Sequence, residues 1–300
     1  MKRITQWAGV VGIVGMTIGT VPVLLKSNPP ALLAQTQPQS AEGWLNQGLE
    51  AIQQGNLQRA IAAFQRSAEL NPQLAPAHYN LGLAMRQQGN LQAAADAFYR
   101  AIQADPRFAL AYANLGAALL EGNNFDLAGQ YLQRAIELDP NLGLAYYNLG
   151  LVRKQQQNWS AAIAALQQAA QLSPNAPEPH YHLGEVYQQQ QQSDRALEAF
   201  QRAVTITPNY PEAQYSIGSI LFQRGDLDGA LSAFRRSAEA NPNYANAYYG
   251  AGLTFMRQGQ YADAQQVLEY ARDLFNAQGN PQWAESAAQL LRQAQQGGNR

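Results

Sequence analysis

The chain has 300 residues, 46% hydrophobic and 14% charged, with a formal net charge of −1 and no cysteine. This composition supports a buried core, and it excludes disulfides, thiolate metal sites and cysteine nucleophiles. It gives no electrostatic basis for binding nucleic acid.

The first 34 residues differ from the rest. Lys2 and Arg3 precede an uncharged stretch from Trp7 to Leu25, and no acidic residue occurs before Glu42. A basic start, an apolar run and the small-residue site Ala31-Leu32-Leu33-Ala34 predict a signal peptide cleaved after Ala34. The alternative is an uncleaved N-terminal membrane anchor, because the apolar run of residues 7–25 approaches the roughly 20 residues of a spanning helix. Gly9, Gly12, Gly15, Gly19 and Pro22 weaken that helix. Both readings export the remainder, to the periplasm or outside the cell, since the positive end stays cytoplasmic. Cleavage would remove Lys2, Arg3 and Lys26 and take the net charge from −1 to −4. Residues 35–40 read as a linker.

From residue 41 the sequence repeats every 34 residues, in frames 41–74, 75–108, 109–142, 143–176, 177–210, 211–244 and 245–278. Position 8 is Gly in every frame, from Gly48 to Gly252, and position 20 is Ala in every frame, from Ala60 to Ala264. Position 24 is Phe or Leu, position 27 is Ala or Ser, and position 32 is Pro until Asn276 replaces it in the last frame. Apolar residues at i, i+3, i+4 and i+7 predict two helices per frame. Gly55-Asn56, Gly89-Asn90 and Gly225-Asp226 turn the chain between them. The proline ends the second helix. Gly at 8 and Ala at 20 let the two helices approach closely, and the small residue at 27 is expected to seat the second helix on the next frame. One helix pair cannot bury its apolar side alone, so the pairs must stack.

Residues 279–296 predict a capping helix, with Pro281 at its start and Trp283, Ala287, Leu290, Leu291 and Ala294 as one apolar stripe. Residues 297–300 are expected to fray.

Leu-Gly, then Ala, then an aromatic, then Pro at this spacing resembles the tetratricopeptide repeat (TPR). His78, Leu81, Gly82, Met85, Ala94, Phe98, Ala101 and Pro106 carry the resemblance in one frame, and it extends over residues 41–278. Gln47 in place of Leu, Asn123 and Gln157 in place of the turn Gly, and Asn276 in place of Pro depart from the pattern. The resemblance implies an all-α, right-handed superhelical solenoid of seven helix-turn-helix repeats plus the capping helix. It also implies a non-enzymatic scaffold that binds a protein or extended peptide in a concave groove.

Helical geometry nominates the groove residues. At about 100° per residue, positions 4, 7, 8 and 11 of the first helix share the apolar side, and positions 5, 6, 9 and 13 share the opposite side. Position 6 carries Asn46, Asn80, Asn114 and Asn148, then His182 and Ser216. Position 5 carries Tyr79, Tyr147, Tyr181, Tyr215 and Tyr249, and Arg86 and Lys154 flank them at position 12. An amide offers donor and acceptor together, as a peptide bond does. Tyrosine adds apolar area with a polar tip. This ladder resembles the one that family members use to grip peptide backbones. The family's clamp for a C-terminal carboxylate, which needs Lys at position 5 and Asn at position 9, is not expected.

Arg66, Arg100, Arg134, Arg202 and Arg236 recur at position 26 and read as a solvated row. His180 and His182, two apart on a helix, cannot share a metal. No catalytic group, metal or cofactor is expected. In a cell envelope such a scaffold would assist assembly of a complex. The alternative is a structural solenoid that self-associates without a groove ligand.

Overall fold

The computed structural model describes residues 39–298. The expected signal or anchor of residues 1–34 lies outside the described residues.

Among them the chain forms fifteen α-helices and no strand. These are α1 (Ala41–Gln53), α2 (Leu57–Leu70), α3 (Ala75–Gln87), α4 (Leu91–Ala104), α5 (Ala109–Glu121), α6 (Phe125–Leu138), α7 (Gly143–Gln155), α8 (Trp159–Leu172), α9 (Glu178–Gln189), α10 (Ser193–Ile206), α11 (Pro211–Gln223), α12 (Leu227–Ala240), α13 (Ala245–Arg257), α14 (Tyr261–Ala277) and α15 (Pro281–Gly298). Consecutive helices pack in pairs, α1 on α2, α3 on α4 and onward, and α15 covers α14. The chain divides into two compact units at Ser173/Pro174. The first unit holds α1–α8 and the second holds α9–α15.

Short polar residues start and stop these helices. Ser40 Oγ accepts from the Gly43 amide at 3.0 Å, Asn56 Oδ1 from Arg59 at 3.0 Å and Asp226 Oδ1 from Gly229 at 2.9 Å, satisfying amides that have no partner within the helix. The first helix of each pair ends in paired capping bonds. In α1 the Asn56 amide donates to Ala51 O and the Gly55 amide to Ile52 O, with Gly55 in the left-handed region at φ 72°. The turn survives without glycine: Asn123, Gln157 and Gln191 hold φ of 61°, 57° and 59°. Gln157→Gly should therefore stabilise the chain by about 0.5–1 kcal/mol, relieving a left-handed side chain at some entropic cost. A urea midpoint that stays put or falls would contradict this. After the second helix, Asn71, Asp105, Asp139 and Asn241 each accept a bond from the amide two residues on, which starts the link to the next pair.

Close helix approach rests on glycine at position 8. A Cβ on Gly82 would lie 2.6 Å from the Phe98 ring, and one on Gly116 would lie 2.5 Å from Leu132 Cγ. The alanines at position 20 are fully buried. Other details add to or differ from the sequence reading. Positions 3 and 10, as in Ala77 and Ala84 or Ala145 and Val152, are also buried, because the first helices touch one another: α3 contacts α5, α5 contacts α7, and α11 contacts α13. At position 27 the two serines also bond back to their own pair, Ser67 Oγ donating to Ala41 O at 2.6 Å and Ser237 Oγ to Pro211 O at 2.7 Å, while Ala101 and Ala135 pack with residues of the next frame. Trp283 is half exposed while its ring packs on Tyr249 and Phe275, and Gly297 and Gly298, expected to fray, belong to α15.

Candidate peptide-binding face

In the first unit, the expected asparagine ladder is uneven. Asn46 is exposed, and Asn80 donates from Nδ2 to Pro76 O of its own helix at 2.8 Å. Asn114 is buried and donates to Tyr79 Oη at 3.2 Å and Leu110 O at 3.0 Å. Asn148 is buried, and its Nδ2 has no hydrogen-bond partner. The physical reason is the contact between neighbouring first helices. Position 6 lies beside the buried positions 3 and 10, so its side chain is drawn into that seam. Tyr79, Asn114's partner, sits at the place where the next frame has Ala113. Asn148 therefore lacks the hydroxyl that Asn114 uses.

The tyrosines at position 5 are packing residues on one side. The Tyr79 ring lies 5.8 Å from Phe98 and 4.9 Å from Phe108. In the second unit Tyr181 lies 5.6 Å from Phe200 and 5.1 Å from Tyr210, and Tyr215 repeats this with Phe234 at 5.6 Å and Tyr244 at 5.7 Å. Tyr249 ends the row against Phe275 and Trp283. Tyr79, Tyr181 and Tyr215 each bridge position 24 of their own frame to the aromatic at position 34. Tyr147 and Lys154 are half-buried, and Arg86 pairs with Glu121.

Burial raises the pKa of Tyr79, and the Asn114 hydrogen bond opposes the rise. Burial, reinforced by Glu185, pushes the Tyr181 hydroxyl far up. Tyr244 is raised by burial against an opposing bond from Asn246, with Tyr215, Glu212 and Glu185 adding to the rise. His182 Nδ1 lies 2.6 Å from Glu185 Oε2, and Ser216 Oγ donates to Glu212 O at 2.9 Å. His180, the neighbouring ring, has its pKa lowered by burial and by Arg202.

Exposed apolar side chains carry a signal that the ladder reading passed over. Leu49, Ile52, Leu83, Leu110 and Leu144 are 36–40% exposed. They occupy positions 9, 12, 9, 2 and 2, so they share one stripe of the first helices. The 34-residue frame contained this signal, because leucine at positions 2 and 9 has no partner within its own helix pair. In the second unit the same positions carry Glu178, Glu185 and Glu212, and also Phe222, Leu253 and Met256. Among the described residues no group of three or more His, Asp or Glu could hold a metal ion, and no helix is long and apolar enough to cross a membrane.

Comparison with known proteins bears on this geometry. A tetratricopeptide repeat family model matches residues 31–75, 45–107, 79–142 and 181–245. A TPR repeat model matches 152–191, and a further tetratricopeptide repeat model matches 221–290. No curated protein matches the sequence. Among solved structures, the APC/C hetero-tetramer Cut9–Hcn1 aligns with a TM-score of 0.64 at 22% identity over 73% of this chain, and the match spans 44% of that chain. YrrB, a TPR protein with an unusual peptide-binding site, aligns at 0.52 with 31% identity, over 65% of this chain and 99% of that one. PilF of Pseudomonas aeruginosa aligns at 0.61 with 20% identity, over 69% of this chain and 94% of that one.

Proposed function

This chain belongs to the tetratricopeptide repeat family, and from that premise we propose that it is a non-enzymatic scaffold holding an extended peptide segment of a partner protein. The seven frames act as seven repeat units, and the grip lies on the face of the first helices. The observation that carries this reading is the alignment of Leu49, Ile52, Leu83, Leu110 and Leu144, each 36–40% exposed, on one stripe of the first helices. Aligned exposed apolar side chains on one face mark an interaction surface. The 31% identity to YrrB, which has a peptide-binding site, supports the same class of ligand. On this reading the leucines receive apolar side chains of the partner, and the exposed Asn46 bonds its backbone. Residues 1–34 export the chain, and the scaffold serves assembly of an envelope complex.

Asn114 is unsuited to a binding test, because its loss would leave Tyr79 without its bond. The cleaner variant is Leu83→Glu with Leu144→Glu, both at exposed sites, where a surface change costs within about 0.5 kcal/mol. A photo-crosslinking residue at Leu110 should capture one discrete partner from the source cells, and the double variant should abolish capture with its melting temperature unchanged. The same residue placed at Tyr99, exposed on α4, should capture nothing specific. Equal capture from both places would overturn the face assignment. Capture of only the chain itself would favour self-association.

A further inference from the structure

Within the second unit, two first helices stand out by their charge. α9 and α11 hold three glutamates, Glu178, Glu185 and Glu212, and no lysine or arginine. The Tyr181 and Tyr210 rings lie 5.1 Å apart, and the Tyr215 and Tyr244 rings lie 5.7 Å apart. All four tyrosines are half-buried, so each keeps part of its surface open to solvent. Electrostatic contacts join the two ring pairs. Glu185, Tyr244 and Tyr210 act on the Tyr181 hydroxyl, and Tyr215, Glu212 and Glu185 act on the Tyr244 hydroxyl. Such influence is screened within about 10 Å, so the two carboxylates and the four rings form one cluster.

This cluster lacks a cation. Burial raises the pKa of Tyr181 and of Tyr244 and keeps both hydroxyls neutral. Among the described residues Glu212 makes no ion pair. Glu185 Oε2 lies 2.6 Å from His182 Nδ1, a contact that holds the carboxylate in place, and the Glu185 side chain is still 32% exposed. A carboxylate has about four lone-pair sites, so it can accept further donors. The face of a tyrosine ring is negative as well. Arg257 of the next first helix, α13, is engaged elsewhere: it lies 5.3 Å over the Phe222 ring and donates to Phe222 O at 3.1 Å.

We propose that this cluster receives an arginine side chain of the partner segment, with the guanidinium on the tyrosine rings and its N–H groups donating to Glu185 and Glu212. The assignment rests on the reading that the face of the first helices holds such a segment, and it names the chemistry of one residue in it. Arginine fits better than lysine, because a planar guanidinium stacks on an aromatic face while its five donors point outward in its own plane. The chain contains this pairing internally, with Arg195 lying 4.1 Å over the Tyr187 ring.

The probe is the capped tripeptide acetyl-Ala-Arg-Ala-amide, added to the full chain with ring-labelled tyrosine. In NMR the Tyr181 and Tyr244 signals, assigned with single Tyr→Phe variants, should shift saturably in the millimolar range. Glu185→Gln with Glu212→Gln, which keeps side-chain shape, should weaken binding at least tenfold, about 1.4 kcal/mol. Citrulline in place of arginine keeps the shape without the charge and should abolish the shift. Lysine in that place should bind at least threefold more weakly. Absence of a saturable shift, an equal response to citrulline or lysine, or unchanged affinity in the double variant would each overturn the proposal. The probe has no large apolar side chain, so its binding does not depend on the leucines of the first unit. Binding of the probe without partner capture at Leu110 would keep the arginine site and overturn the segment reading. Capture at Leu110 without probe binding would do the reverse.

Discussion

Phe200→Ala is expected to destabilise the second unit by about 3–5 kcal/mol, the range for removing a buried aromatic ring. Phe200 has no exposed surface. Its ring fills the space that Gly184 leaves open and supports Tyr181 at 5.6 Å. The loss combines the transfer energy of the ring with a cavity that rigid helices cannot close. Because each pair in a repeat array rests on its neighbours, the effect should concentrate locally. Hydrogen exchange of the α9 and α10 amides is the measurement, and loss of protection there should exceed that in α13. A uniform change, or one below about 1 kcal/mol, would show that the ring is not the element joining α9 to α10.

Gly184→Ala tests the same contact from the other side, and two effects of opposite sign compete. Alanine is the better helix former by about 1 kcal/mol, so propensity alone predicts stabilisation. The added Cβ would lie 2.5–2.7 Å from three ring atoms of Phe200, and overpacking of this kind costs about 1–3 kcal/mol or more. Net destabilisation is the expected outcome in urea titration. Adding Phe200→Leu should not restore stability. Gly116 and Gly150 already face leucines, and a Cβ there would still come within 2.5 Å of Leu132 and 2.6 Å of Leu166. A more stable Gly184→Ala chain would mean that the helices can separate at little cost.

These two variants explain why so much of the fold was legible without coordinates. A glycine and an alanine recurring at fixed positions describe a backbone approach, and a backbone approach is the same physical event wherever it recurs. Position 24 follows from it, since Phe or Leu must fill the space opposite the missing Cβ. Helix ends were legible for a related reason: Asn56, Asn90 and Asp226 compete locally for amides. They need no distant partner to do so.

The candidate face was less legible. A helical wheel has two sides, whereas each first helix here meets its pair partner and the first helices beside it. That additional contact buried Asn114 and Asn148, while Phe98, Phe200 and Phe234 of the pair partner made Tyr79, Tyr181 and Tyr215 packing residues. It left Leu49, Leu83, Leu110 and Leu144 exposed, although hydrophobicity alone would have placed them inside.

By itself the sequence determined the helix pairing, the turns and the close-packed seam within each pair, because these depend on residues fewer than 34 apart interacting in one repeating way. Only the tertiary structure decided which polar side chains remain available. That outcome depends on the neighbouring pair, where one change of residue, Ala113 at the place of Tyr79 or His78 at the place of Tyr112, leaves a donor or an acceptor without its partner.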